Sequence, residues 1–453
     1  MSSLLPQFDA SVLMQTMVCI LFASTPKGRG VPAVVVGDPG TAKSAHNEAI
    51  FSQLGLVHRT ISPGLKGEAF FGVSPVPTES ADDIGQRVMT FPPPETLLPL
   101  TRAQGSVLYI DEMNAVVSSA QLPAMLGALQ DRMIGDLHLG THCRVFAAMN
   151  PQHIAANGVR ISIPQANRLS QWQWHGVSER DRSTYLKRLA KAPAGQPWRL
   201  ERDAVTDDEL RQVLEDRMDA CYESAMATAQ AMCHEGFLRA HPDRRQMMPQ
   251  AASKEAVSPW PSDRSWTNAM SLYAASLVFC SDRFPIQSGS KRADFLRGLR
   301  LDDTRLRDLQ ESLIASCVGM ETAQLFSQWS RKLDLPDVEA WCLGQERRNP
   351  APRNGDNAVF IAGLQSWLNA HLGNKSVVHN PARVGDRVME YVIWLCSNAM
   401  MDMAIMLAQE LFASKEHMEF YFPGAPSQKR AEAIAALRMS SSELQALKNK
   451  VNN

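Results

Sequence analysis

The segment Gly37-Asp38-Pro39-Gly40-Thr41-Ala42-Lys43-Ser44 follows directly on Val34-Val35-Val36 and constrains the fold more than any other stretch of the chain. A short β-branched run reads as a buried strand, and Ala45 to Gln53 suit a helix. Strand, tight loop and helix start together aim backbone N–H groups at a phosphate chain. In that setting Lys43 reaches the β- and γ-phosphates, and the Ser44 hydroxyl ligates Mg²⁺. One position departs from the pattern G-x-x-x-x-G-K-[ST], because Ala42 stands where a second glycine is usual. Alanine tolerates a right-handed helical backbone, so the swap is mild if Ala42 already enters the helix. The expected ligand is a nucleoside triphosphate, with a chance match in a glycine-containing turn as the alternative.

Two further strand ends extend the pattern. Val107 to Ile110 is a second apolar strand, and it delivers Asp111 and Glu112 at its C-terminal end. In open α/β sheets that edge is where ligands sit. Asp111 is expected to hold Mg²⁺ through water, and Glu112 to orient and deprotonate the attacking water. An acidic turn after a strand is the plainer reading of the same residues. Arg144 to Met149 form a third strand, ending in Asn150-Pro151. Asn150 can position the water between the γ-phosphate and Glu112, although Asn-Pro by itself is also a turn signal.

Phosphate loop, Asp-Glu strand and Asn strand, in that order, resemble the AAA+ ATPases. Within them the chain is similar to the MoxR branch and its RavA-like members. The helix Ala120 to Arg132 reads much like theirs, and Met133 to Cys143 like the hairpin this branch carries before the Asn strand. Minichromosome-maintenance helicases and the magnesium-chelatase ATPase subunit are more distant relatives. The helicases share the alanine of Thr41-Ala42-Lys43-Ser44. The likeness covers about residues 5 to 290, with specific motifs only at the three strand ends.

The resemblance also implies two arginines. Pro164-Gln165-Ala166-Asn167-Arg168-Leu169 matches the segment that donates the arginine finger, with Asn167 in place of the usual Asp. Arg168 would then act in trans on a neighbouring subunit's nucleotide, which implies a ring, by family habit a hexamer. Pro261-Ser262-Asp263-Arg264-Ser265-Trp266 resembles the opening of the sensor 2 helix, so Arg264 would contact the γ-phosphate in cis. Either arginine read alone is an ordinary solvated surface residue. A protein partner bearing a von Willebrand factor A domain, with a metal of its own, is implied by the family as well. The region Gly64 to Phe91 corresponds to an insertion near the ring pore, where Phe70 or Phe71 either grips a protein substrate or packs the insertion onto the core.

Composition sets limits on partners. Lys and Arg total 46 against 47 Asp and Glu, a formal net charge of −1, without the basic surplus of most nucleic-acid binders. The eight cysteines are scattered without a C-x-x-C pair, which suits reduced, mostly buried thiols and a cytoplasmic location. No basic region precedes the apolar segment Ser11 to Phe22, which is too short to span a bilayer and reads as a helix capped by Asp9 or Ser11. Tyr391 to Phe412 is long enough, but Ser397, Asn398, Asp402 and Gln409 interrupt it, so a buried helix of a helical domain is expected. Its methionines 400, 401, 403 and 406 are read as core filling, with an adaptable partner groove as the alternative. His138, His142 and Cys143 do not fall on one face of a strand, so no metal site is expected there.

The expected fold is therefore α/β, an AAA+ P-loop core with a parallel sheet flanked by helices, then an all-α lid and an α-helical C-terminal domain. The expected divisions are 1–185 for the N-terminal helix and core, 186–290 for the lid with its sensor, and 291–453 for the C-terminal domain. The charged stretch 177–182 opens the helical part, and 191–200 reads as a linker. The expected activity is hydrolysis of ATP with Mg²⁺ by a ring that remodels a partner protein. A DNA-translocating ATPase and a nucleotide-dependent scaffold with little turnover are the alternatives.

Overall fold

A computed structural model describes residues 5–66, 68–71, 75–80, 85–116, 121–151, 153–154, 160–176, 208–250, 253–286, 292–424 and 428–438. The charged stretch 177–182 and the linker 191–200 lie outside them.

Five parallel strands form the central sheet. They are β1 (Ala33–Gly37), β2 (Val57–Ile61), β3 (Ser106–Ile110), β4 (Cys143–Met149) and β5 (Ser170–Trp174). Their order across the sheet is β5-β1-β4-β3-β2. Every residue of β1, β3 and β4 is buried. A strand covered on both faces reads as a continuous apolar run, which is why Val34 to Val36, Val107 to Ile110 and Val145 to Ala148 were conspicuous in the sequence. β2 lies at one edge, with Arg59 and Thr60 exposed. At the other edge, Gln7 bridges to Gln173 of β5.

Helix α1 (Leu13–Phe22) follows a short turn whose cap is Asp9, its carboxylate accepting from Ser11 N at 2.7 Å. α2 (Lys43–Gln53) leaves β1 through the glycine-containing loop, and α3 (Gln121–Asp131) lies between β3 and β4. An antiparallel hairpin, Met133–Ile134 against Leu137–His138, stands before β4 as expected. A second hairpin, Val76–Glu79 against Arg87–Thr90, interrupts the path from β2 to β3. Phe71 beneath it is 2% exposed and belongs to the sheet's core. Phe70 packs edge-on against Phe71 under Lys66. Packing, not an exposed grip, is the arrangement of both rings.

α4 (Asp208–Gln230) contributes a buried ion-pair group to this part of the molecule. Glu215 pairs with Arg144 of β4 and, at 2.5 Å, with Arg211. α5 (Asp263–Cys280) packs against α1 and against α6 (Asp303–Val318).

The chain forms two compact units, residues 1–226 with 243–327, and 227–242 with 328–453. α6 packs on α5 and β5 within the first unit. The second unit has its own apolar core, built on α7 (Asn354–Ala370), α8 (Pro381–Ser397), α9 (Met401–Ala413) and shorter helices. The apolar stretch 391–412 is thus two helices and not one, broken at Asn398 to Met400, where Ala399 is left-handed at φ 59°. Met400 and Met403 are buried in that core, with Met401 and Met406 packed against it. Among the described residues, no helix is long and apolar enough to cross a membrane. All eight cysteines are free thiols, six of them buried.

Candidate active site

The loop between β1 and α2 has a backbone suited to anions. Gly40 and Ala42 are left-handed, with φ of 74° and 63°, and Thr41 between them is not. Alternating handedness turns successive N–H groups toward one point, the concavity that binds phosphate. Ala42 is therefore not in the right-handed conformation that would make the swap mild. It is the residue preceding α2, held left-handed at a cost of about 1–2 kcal/mol because the loop's curvature requires it. A Cβ built on Gly40 would meet nothing within 4 Å, so the mouth of the loop is open. Gly37 is different, since a Cβ there would come within 2.7 Å of the Trp174 carbonyl oxygen.

Four of the expected side chains meet at this loop, supplied by the ends of three neighbouring strands. Lys43 is 7% exposed, and its Nζ donates to the Gly37 and Asp38 carbonyls, each at 2.7 Å. The same Nζ donates to Asn150 Oδ1 at 3.3 Å. Ser44 Oγ donates to Asp111 Oδ2 at 2.7 Å. Burial pushes the Lys43 ammonium below its ordinary pKa, against the pull of Asp111, Asp38 and Glu112. A hydroxyl beside a carboxylate is a pair of hard oxygen donors, which fits Mg²⁺. The open loop and the lysine fit a phosphate chain.

Glu112 is exposed and left-handed at φ 53°, with its N–H donating to Asp111 Oδ1 at 3.0 Å. Such a backbone conformation in a non-glycine residue is uncommon and clusters at functional sites. Two contributors were not singled out from the sequence. Asn114, buried, donates through Nδ2 to the Asn150 carbonyl at 2.8 Å, and so fixes the end of β4. Trp174, at the end of β5, donates through its indole N–H to the Thr41 carbonyl at 3.0 Å and holds the loop from below. Asn114 lies three residues beyond Asp111, which was a usable signal, whereas nothing local marks Trp174.

The two arginines share one pocket. Arg168 and Arg264 line one pocket together with Lys27, Gln130, Arg132 and Thr267, and no residue of 37–44, nor Asp111, Glu112 or Asn150, lines it. α5 is tied to the arginine segment through its cap, Ser262, whose Oγ donates to Asn167 Oδ1 at 2.9 Å. Arg168 donates to Gln130 Oε1 at 2.5 Å and to the Pro164 carbonyl at 2.7 Å. Burial and then the charge of Arg264 push its pKa down, with Asp131 opposing. Arg264 is exposed and makes no hydrogen bond or ion pair among the described residues. Lys27 pairs with Asp131. The Arg132 guanidinium is engaged by backbone carbonyls, among them Arg29 O at 2.6 Å.

No family model matches the chain, and no curated protein matches it. Among solved structures it is similar to a "putative ATPase" from Cytophaga hutchinsonii ATCC 33406. The TM-score is 0.44 at 13% identity, covering 74% of this chain and 92% of that one. At that level of likeness, nothing about chemistry passes from one protein to the other.

Proposed function

We propose that the chain is a MoxR-type AAA+ ATPase, which binds ATP with Mg²⁺ at residues 37–44 and hydrolyses it. The reading is carried by the meeting of Lys43, Ser44, Asp111 and Asn150 at three parallel strand ends, under a loop of alternating handedness. Backbone N–H groups of Gly37 to Ser44 cradle the phosphates, and Lys43 exchanges its loop carbonyls for phosphate oxygens. Ser44 and Asp111 hold Mg²⁺, which draws negative charge from the phosphate oxygens when bound. Glu112 takes a proton from a water held by Asn150. The water oxygen bonds to the γ-phosphorus, the bond to the bridging oxygen breaks, and its electron pair leaves with ADP.

The arginines extend the reading to a ring. Arg168 and Arg264 line a pocket that shares no residue with the loop of their own chain, and two guanidiniums acting on each other's charge suit a multiply charged anion. A neighbouring subunit's γ-phosphate is such an anion, so both arginines act in trans, where charge develops during transfer. Assembly into a ring, by family habit a hexamer, then couples hydrolysis to remodelling of a protein partner in the cytoplasm. The resemblance favours a partner with a von Willebrand factor A domain.

The deciding experiment is ATP hydrolysis against protein concentration, with light scattering on the same samples, for the wild type, Arg168→Ala and Glu112→Gln. The expected result is a rate per subunit that climbs with assembly and collapses in both variants while assembly persists. A flat rate, indifferent to Arg168, sinks the ring. Wild-type turnover no faster than that of Glu112→Gln sinks the ATPase and leaves a nucleotide-dependent scaffold.

A further inference from the structure

We infer that Asn167 is a positioning residue that locks Arg168 and Arg264 into a single anion-binding pair; this rests on the arginines acting on phosphate as proposed above. Arg168 and Arg264 repel each other, and at Arg168 the charge of Arg264 outweighs that of Asp131. Arg264 also sits in the first turn of α5, where the helix dipole disfavours a cation. Nothing in that arrangement is self-maintaining, so some other contact must hold the two segments together.

Asn167 supplies it. Its side chain is 6% exposed and bonded at both ends to the segment that opens α5. Nδ2 donates to the Trp260 carbonyl at 3.1 Å, and Oδ1 accepts from Ser262 Oγ at 2.9 Å. That same Ser262 oxygen caps α5 by accepting from Ser265 N at 3.2 Å. A second tie runs alongside, from the Trp260 indole N–H to the Ile163 carbonyl at 3.3 Å. Arg168 is the next residue after Asn167, and Arg264 lies two beyond Ser262, so the amide sets the distance between the guanidiniums.

The identity of the residue matters. A carboxylate at 167 has no N–H for the Trp260 carbonyl and would face that oxygen with a negative charge. It would also place an anion next to Arg168, competing with the phosphate for the pair. An amide makes both hydrogen bonds and leaves the pair's charge intact. The departure from the Asp implied by the family resemblance is thereby accounted for.

The test is steady-state ATP hydrolysis by the assembled full chain, comparing Asn167→Asp and Ser262→Ala with the wild type. Each background also carries Arg168→Ala, Arg264→Ala or both. In the wild-type background the double arginine variant is expected to lose little beyond either single one, as for groups acting as a unit. Asn167→Asp is expected to lower kcat by about tenfold with KM within about twofold, and the two arginine effects become independent. Ser262→Ala, which removes only the hydroxyl at the far end of the tie, shifts the coupling in the same direction. It decides the matter should Asn167→Asp fail to fold. A lowered melting temperature with kcat and arginine coupling unchanged would show a merely structural amide and overturn the inference. Indifference of the wild type to both arginine substitutions would instead overturn the phosphate role of the pair itself.

Discussion

The phosphate loop and the arginine pocket handle charge in opposite ways. At the loop, Lys43 is paired with two carbonyls and Asn150, and Ser44 with Asp111. At the pocket, Arg168 has only neutral oxygens, and Arg264 makes no hydrogen bond or ion pair among the described residues. One site is satisfied within the chain and ready to exchange partners. The other holds Lys27, Arg168 and Arg264 around one pocket, with Asp131, which pairs with Lys27, acting on Arg168 less strongly than Arg264 does. A fold tolerates such a surplus where an anion arrives from outside, which is what the proposed action in trans requires.

The contrast breaks first at Arg168. Replacing it with Ala should lower hydrolysis by about 10³-fold, the usual effect of losing an arginine finger. ATP affinity, measured by titration calorimetry, should stay within about twofold, because the loop's own contacts are untouched. A matching loss of affinity would place Arg168 at the chain's own nucleotide and erase the distinction between the two sites.

A third arginine group supplies the control. Arg144 and Arg211 are buried and share Glu215, so here the chain provides the anion itself. Burial pushes the Arg144 guanidinium below its ordinary pKa, and Glu215 opposes the shift by favouring the charged form. Removing one partner of a buried ion pair strands the other's charge, so Glu215→Gln should destabilise by about 3 kcal/mol, read from the urea midpoint. An unchanged midpoint would mean that stranded arginines are tolerated everywhere in this fold, and the pocket's unpaired cations would lose their meaning.

Next in size is the loop's own strain. Ala42→Gly should stabilise by about 1 kcal/mol, since glycine takes a φ of 63° without the Cβ penalty and gives back part of that gain in chain entropy. A thermal melt without nucleotide checks it. A lowered midpoint would show that the left-handed conformation costs nothing here and that the loop is not preorganised.

These effects differ in how far the sequence foretells them. The central strands were legible because β1, β3 and β4 are covered on both faces and must be apolar throughout. Asp111 and Asn150 were legible because each directly follows a strand, and Lys43 and Ser44 because they open the helix after the glycine-containing loop. The handedness of Ala42 was not, since it depends on the curvature of the whole loop rather than on alanine. The break at Ala399 was equally hidden, because apolar residues continue on both sides of it. Phe71 looked available only because its sequence cannot show the core beneath it. The pairing of Arg168 with Arg264 depends on a hydrogen bond between residues 95 apart, Asn167 and Ser262, which no local pattern announces.

The smallest effect tests the contrast most directly. Arg264 carries a positive charge in the first turn of α5, beside Arg168, and makes no ion pair among the described residues. Both the helix dipole and the like charge oppose it, each by a few tenths of a kcal/mol at a solvated site. Arg264→Ala removes both penalties and also places the better helix former in that turn. It should therefore raise stability by about 0.5 kcal/mol at low salt, with the gain shrinking as salt screens the charges. The same substitution should lower hydrolysis by the assembled protein. Stability gained while activity falls is what a residue kept for an absent anion shows. A loss of both would mean that Arg264 is held by contacts within its own chain, and the pocket would then be as self-sufficient as the loop.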